Sequence, residues 1–127
     1  MNVNYFSEAK FNFAWEIPSK FTLFEKEYSI VASADAYYST DVVTDEQNSS
    51  YKWFLDNHAD VVSNIEKALI KEAGNKENAL ERFEPKTLKI KSNGECGLVF
   101  NDKTDFENGL VIMLLPNYQV MSTDEFF

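Results

Sequence analysis

The sequence predicts an α+β domain: an antiparallel sheet of six or seven strands, with helices at 44–56 and 58–74 packed across one face. Three observations predict it. Side chains before Thr44 alternate apolar and polar with period two, Thr44 opens a helical pattern that runs for about thirty residues to Gly74, and the period-two pattern returns after Pro85. A chain of 127 residues has the size of one domain and buries about two thirds of its unfolded surface, so a single domain over 1–127 is expected.

Phe11, Phe13, Trp15 and Ile17 alternate with Asn12, Ala14 and Glu16, which predicts a half-buried strand ended by Pro18-Ser19-Lys20. A second run spans Phe21 to Phe24. After the polar turn Glu25-Lys26-Glu27, Tyr28, Ile30 and Ala32 alternate with Ser29, Val31 and Ser33. Such short connections make these three segments an antiparallel meander. Thr44-Asp45-Glu46-Gln47 is a capping box: the Thr44 hydroxyl accepts from the Gln47 N–H while the Gln47 side chain reaches back to the Thr44 N–H. Asp45 and Glu46 also complement the helix dipole. Tyr51, Phe54 and Leu55 give the first helix an apolar face, and Val61 or Val62, Ile65, Leu69 and Ala73 continue it past a break near Asn57-His58. Gly74 is the expected C-cap, and Leu80 and Phe83 predict one more short helical turn before Pro85.

Beyond Pro85, Leu88 and Ile90 occupy one strand face and Lys89 and Lys91 the other. Asn93-Gly94 is the dipeptide favoured by a two-residue type I′ hairpin. Cys96, Leu98 and Phe100 are expected to face the core. A loop, Asn101 to Asn108, then leads through Gly109 into Leu110–Leu115, an apolar run that reads as a strand buried on both faces, and Gln119 to Met121 make a short last strand.

Twelve basic against twenty-one acidic residues leave a net charge of −9, which repels nucleic-acid phosphates and anionic lipid. Neither nucleic acid nor membrane is an expected partner. The longest apolar run is too short to span a bilayer, no basic and apolar leader opens the chain, and a single cysteine cannot form an internal disulfide, so the cytoplasm is the expected compartment. The segment from Asp35 to Asp60 sets six carboxylates against Lys52 alone and is suited to steering a basic protein partner. Within it Asp41, Asp45 and Asp56 are the candidate contact charges, with Tyr37, Tyr38 and Trp53 as aromatic anchors.

No catalytic constellation stands out, and catalytic, metal and cofactor sites are all expected to be absent. His58 and Cys96 form the one possible histidine–cysteine pair, yet Cys96 reads as a small buried hydrophobe and His58 as a residue ending or capping a helix. Asp102, Asp105 and Glu107 offer oxygen ligands, but Lys103 intrudes and the loop glycine of a calcium hand is missing, so a solvated turn is expected. A carboxylate pair for acid–base work would have to come from Glu95, Glu107 or Glu16. With four glycines and no phosphate-cradling loop, a nucleotide cofactor is not expected.

Three pieces carry a resemblance: Phe13-Ala14-Trp15; Asp45-Glu46-Gln47 with Tyr51-Lys52-Trp53-Phe54-Leu55; and Cys96-Gly97-Leu98-Val99-Phe100 with Glu107-Asn108-Gly109-Leu110-Val111. The chain resembles a family of small uncharacterised bacterial α+β domains with a tryptophan strand, a glutamine-led helix and a tail rich in G-L-x-F and E-x-G-L. The resemblance implies an immunity-like protein of a toxin system, and the acidic charge suits such a protein to masking a basic protein partner. The family tail carries a Trp and a His near its E-x-G-L element, where this chain has Thr104 or Asp105 and Asn108, so no role resting on those residues is implied. The alternatives to this binding role are a small-molecule enzyme with a carboxylate-based site and a structural subunit of a homo-oligomer.

Overall fold

The computed structural model describes residues 4–127. Seven strands form one sheet in chain order: β1 (Lys10–Phe11), β2 (Ala14–Leu23), β3 (Lys26–Asp35), β4 (Phe83–Ile90), β5 (Cys96–Asp102), β6 (Asp105–Leu115) and β7 (Gln119–Met121). Between β3 and β4 lie α1 (Asp45–Asp56), α2 (His58–Ala73) and α3 (Lys76–Arg82), and α4 (Thr123–Phe126) follows β7. The architecture is α+β, as expected. Five strand pairs are antiparallel, but β4 runs parallel to β3, because the helical connection carries the chain back to the end at which β3 begins before it pairs.

The helix starts and stops follow from side-chain chemistry. Thr44 and Gln47 form the expected capping box, Gly74 ends α2 in the left-handed region at φ 94°, and the Asn75 side chain accepts from the Asn78 N–H to begin α3. Asn57 separates α1 from α2 at the expected break. The helical face places Tyr51, Phe54, Val61, Ile65, Leu69 and Ala79 on one side of the sheet. Alternate strand residues meet them: Phe21 and Leu23, Ile30 and Ala32, Leu88 and Ile90, Leu98 and Phe100, Ile112 and Leu114. Leu55, expected on this face, is exposed instead, falling outside the stripe that reaches the sheet, while the short turn expected from Leu80 and Phe83 is α3.

Other boundaries also depart from expectation. Pro18 does not end a strand but lies inside β2, opposite Val31. It is tolerated because β1 pairs only with Trp15 and Glu16, so β2 is a sheet edge at Pro18 and the missing N–H has no partner to lose. Phe13 leaves the alternation: it turns the chain between β1 and β2 at φ 62° with its ring exposed. The type I′ geometry expected at Asn93-Gly94 occurs elsewhere. Gly94 is left-handed but Asn93 is not, and Lys91 N–H donates to Glu95 O (2.8 Å) across a three-residue Ser92-Asn93-Gly94 loop. The two-residue loop with both φ positive is Phe24-Glu25, joining Leu23 to Lys26. The expected loop at 101–108 is a continuation of the β5–β6 hairpin, turned tightly at Lys103-Thr104.

The sheet's second face is partly covered by α4, which the alternation and helix patterns in the sequence do not announce. Ser122 and Glu125 form a second capping box, and Phe126 packs on Val111 and Met113 beside Val99 and Met121. This cover is why β6 is buried on both faces from Val111 to Leu114. Gly97 makes the contact close, since a Cβ there would lie 3.0 Å from both Phe126 and Val111.

Candidate functional site

Because β3 and β4 are parallel, both end at the same edge of the molecule, and the chain leaves them in different directions. After β3 it climbs to α1; after β4 it turns into β5. Gln47 pins the divergence. Its buried amide nitrogen donates to Asp35 O (3.0 Å) and Ile90 O (3.1 Å), while its side-chain oxygen accepts from the Thr44 N–H (2.9 Å). Thr44 Oγ1 donates to Ser92 O (2.8 Å) and Ser50 Oγ to Gly94 O (2.5 Å), tying the start of α1 to the β4–β5 turn.

A cleft of about 520 Å³ opens on the second face of the sheet, beyond these strand ends. Lys89 of β4, Lys91 just past its end and Asp35 of β3 form its floor, and Phe13, Tyr37 and Ser92-Asn93 complete the lining. Phe13 and Tyr37 are each 91% exposed. Lys89 Nζ is 2.7 Å from Asp35 Oδ1 and 4.9 Å from the centre of the Phe127 ring. Lys91 Nζ lies 4.4 Å from the centre of the Phe126 ring. Among the described residues no carboxylate comes within ion-pair distance of Lys91. Two lysines against one aspartate therefore leave the floor with one positive charge on a strongly acidic protein.

The tyrosine loop is held from inside. Asp41 Oδ2 accepts from the N–H groups of Tyr37 (3.1 Å) and Tyr38 (3.0 Å), and the Trp15 indole N–H donates to Asp41 O (2.7 Å). Asp41, expected as a contact charge, is thus also a loop fastener. Tyr38 and Val42 are exposed beside Tyr37. Asp45 is exposed in the first turn of α1 and lines a second, more open cleft with Glu46 and Glu95. Trp53 is half-buried against the helix-side core, and Asp56 pairs with Lys52 one turn back. Eleven residues of helix put Asp56 about 16 Å from Asp45 along the axis. The structure gathers Tyr37, Tyr38 and Asp41 at one end of α1 and places Trp53 and Asp56 towards the other. Sequence reasoning misses Phe13, Asp35, Lys89 and Lys91 as neighbours of Tyr37. The outward placement of the two lysines is legible; their meeting with the tyrosine loop depends on the parallel pairing.

His58 and Cys96 do not meet. His58 packs 5.4 Å from the Phe21 and Phe54 ring centres, where burial lowers its pKa. Cys96 is aligned through Ile90 and Ala34 with Trp15, three strands across and six residues along from Phe21, a separation above about 20 Å. Burial pushes the Cys96 thiol up to about 12, which suppresses the thiolate. Glu107 lies about 26 Å along β6 from the level of Glu95, and Glu16 is three strands away from β5, about 14 Å. Asp102, expected in a solvated turn, is buried: Arg82 donates to both of its oxygens (2.9 and 2.8 Å), with further bonds from the Thr104 N–H and hydroxyl. Among the described residues no group of three His, Cys, Asp or Glu side chains is placed to hold a metal, and no helix is long and apolar enough to cross a membrane. Comparison with family models, with curated proteins and with solved structures finds no match to this chain.

Proposed function

We propose that the chain is a binding protein that docks on a basic protein partner through the loop end of its sheet, in the immunity-like manner its sequence resemblance implies, and that it acts in the cytoplasm. One observation carries the reading: Phe13 and Tyr37, on separate loops, border one cleft with their rings almost wholly exposed. Large aromatic side chains are far more often buried, and an exposed cluster of them is the usual composition of an interface anchor. Phe13 holds this position at φ 62°, a left-handed conformation that costs a phenylalanine about 1–2 kcal/mol and is not offset by burial of its ring. Tyr38 and Val42, exposed on the Tyr37 loop, extend the patch, and Asp45 and Glu46, exposed in the first turn of the helix that follows the loop, supply carboxylates suited to steering a cationic partner.

The test is binding to the polypeptide encoded by the adjoining gene, followed by stopped-flow at two salt concentrations. Association that slows with salt is expected, and Asp45→Lys with Glu46→Lys should slow it further at low salt. Phe13→Ser with Tyr37→Ala should leave association nearly unchanged and speed dissociation tenfold or more. Absence of a complex overturns the toxin-masking reading, and a complex indifferent to all four substitutions overturns this surface.

A further inference from the structure

The cleft floor has a property that a steering surface for a cationic partner does not require. We infer that the cleft is a binding site for a small aromatic carboxylic acid, its carboxylate on Lys91 and its flat ring between Phe13 and Tyr37. The inference goes beyond the partner reading and needs no partner. Lys91 is the point of attachment because, among the described residues, no carboxylate lies within ion-pair distance of it: Lys89 is matched by Asp35 at 2.7 Å, whereas Lys91 lies over the Phe126 ring. An aromatic face holds an ammonium without neutralising it, so the charge remains available to an anion. One net positive charge matches a monoanion better than a phosphate dianion, and the −9 charge of the whole chain disfavours the dianion further. The walls select the rest of the ligand. Phe13 and Tyr37 present exposed rings to the same space, and a volume of about 520 Å³ is within the range that accepts a small organic molecule. Ser92, an exposed residue of the lining, adds a hydroxyl donor. Tertiary structure holds the floor lysines in place: α4 and the residue after it set an aromatic ring against each of them, and Gln47 fixes the strand ends that carry them.

The experiment is an amide-detected NMR titration of the intact chain with 2-naphthoate, with acetate, 2-naphthol and 1-naphthyl phosphate as comparison probes at neutral pH. Naphthoate is expected to shift the amides of Tyr37, Lys89, Lys91 and Ser92 saturably. Acetate, lacking the ring, and 2-naphthol, lacking the charge, should each bind at least tenfold more weakly, and the dianion no more tightly than naphthoate. Lys91→Gln should weaken naphthoate tenfold or more, and Tyr37→Ala, which leaves the floor untouched, severalfold. Lys20→Gln, elsewhere on the sheet, should leave it unchanged. Naphthol binding as tightly as naphthoate, shifts centred away from β4, or unaltered affinity in a folded Lys91→Gln protein would each overturn the assignment. Retained naphthoate binding with no complex to the adjoining gene product would overturn the partner reading alone.

Discussion

Phe24 and Glu25 turn the chain between β2 and β3 with φ of 49° and 66°, in a loop type that usually takes Asn-Gly. The strain at Phe24 is offset by tertiary contacts: its N–H donates to Glu66 Oε2 of α2 (2.6 Å) and its ring packs on the core. Glu25 is exposed and its side chain makes no hydrogen bond or ion pair among the described residues, so nothing there offsets its backbone. Glu25→Gly should therefore stabilise the protein by about 0.5–1 kcal/mol, read as a higher urea midpoint; a lower midpoint would show that the turn is not strained. Asp102 is the opposite case, a residue whose partners account for its position. The Arg82 guanidinium holds its carboxyl down to about 2, against an ordinary value near 4. A carboxyl depressed on folding contributes stability above its unfolded pKa and loses it as pH falls towards the folded value. Allowing for solvent around Arg82, that contribution is about 1–2 kcal/mol. Asp102→Asn should thus be less stable than the parent at pH 6, with the gap closing between about pH 4 and pH 2. A gap constant across that range would deny the pairing.

Elements are legible in the sequence where a local rule sets them. The Thr44 box, the Gly74 cap and the alternation through Leu88 to Phe100 each state their own structure, and the helices and helix-side core follow. Elements fixed by tertiary partners are not. Pro18 reads as a stop unless β1 is known to be too short to need its N–H, and the parallel β3–β4 pair, which assembles the cleft, has no local signature at all. The case of α4 differs, because Ser122-Thr123-Asp124-Glu125 carries the same box signature as Thr44 but opens a helix too short to show an apolar period. Its anchor makes it testable. Phe126 is the one α4 side chain buried on the second face, so Phe126→Ala should cost about 3 kcal/mol and expose Val111 and Met113 to water. Hydrogen exchange should then rise in β6 and β7 before it rises in β2 and β3. Leu69→Ala, in the larger core of α2, should instead cost about 2–5 kcal/mol without that regional preference. Equal exchange patterns in the two variants would mean that the faces do not act as separate packing units.

Across the whole molecule, two electrostatic effects oppose one another. Twenty-one acidic and twelve basic residues on a chain with a folded radius of gyration of about 14 Å leave an excess of like charge, and unfolding relieves that repulsion by separating them. Against it stand local ion pairs, of which Lys20–Glu27 and Lys52–Asp56 are more than half exposed and therefore weak. The net repulsion of nine charges, on the order of a few kcal/mol at low ionic strength, outweighs them. Both effects are screened by salt, but the Arg82–Asp102 pair, whose carboxylate is buried, is screened least. Raising sodium chloride from about 10 mM to about 300 mM at pH 7 should therefore raise the thermal midpoint, with most of the gain complete once the screening length falls below the molecular radius. The same addition near pH 4.5, where the chain carries no net charge, should leave the midpoint almost unmoved while Asp102 is still ionised. A midpoint that falls with salt at pH 7 would reverse the ranking. Stability would then rest on the ion pairs, whose loss to screening would exceed the relief of like-charge repulsion.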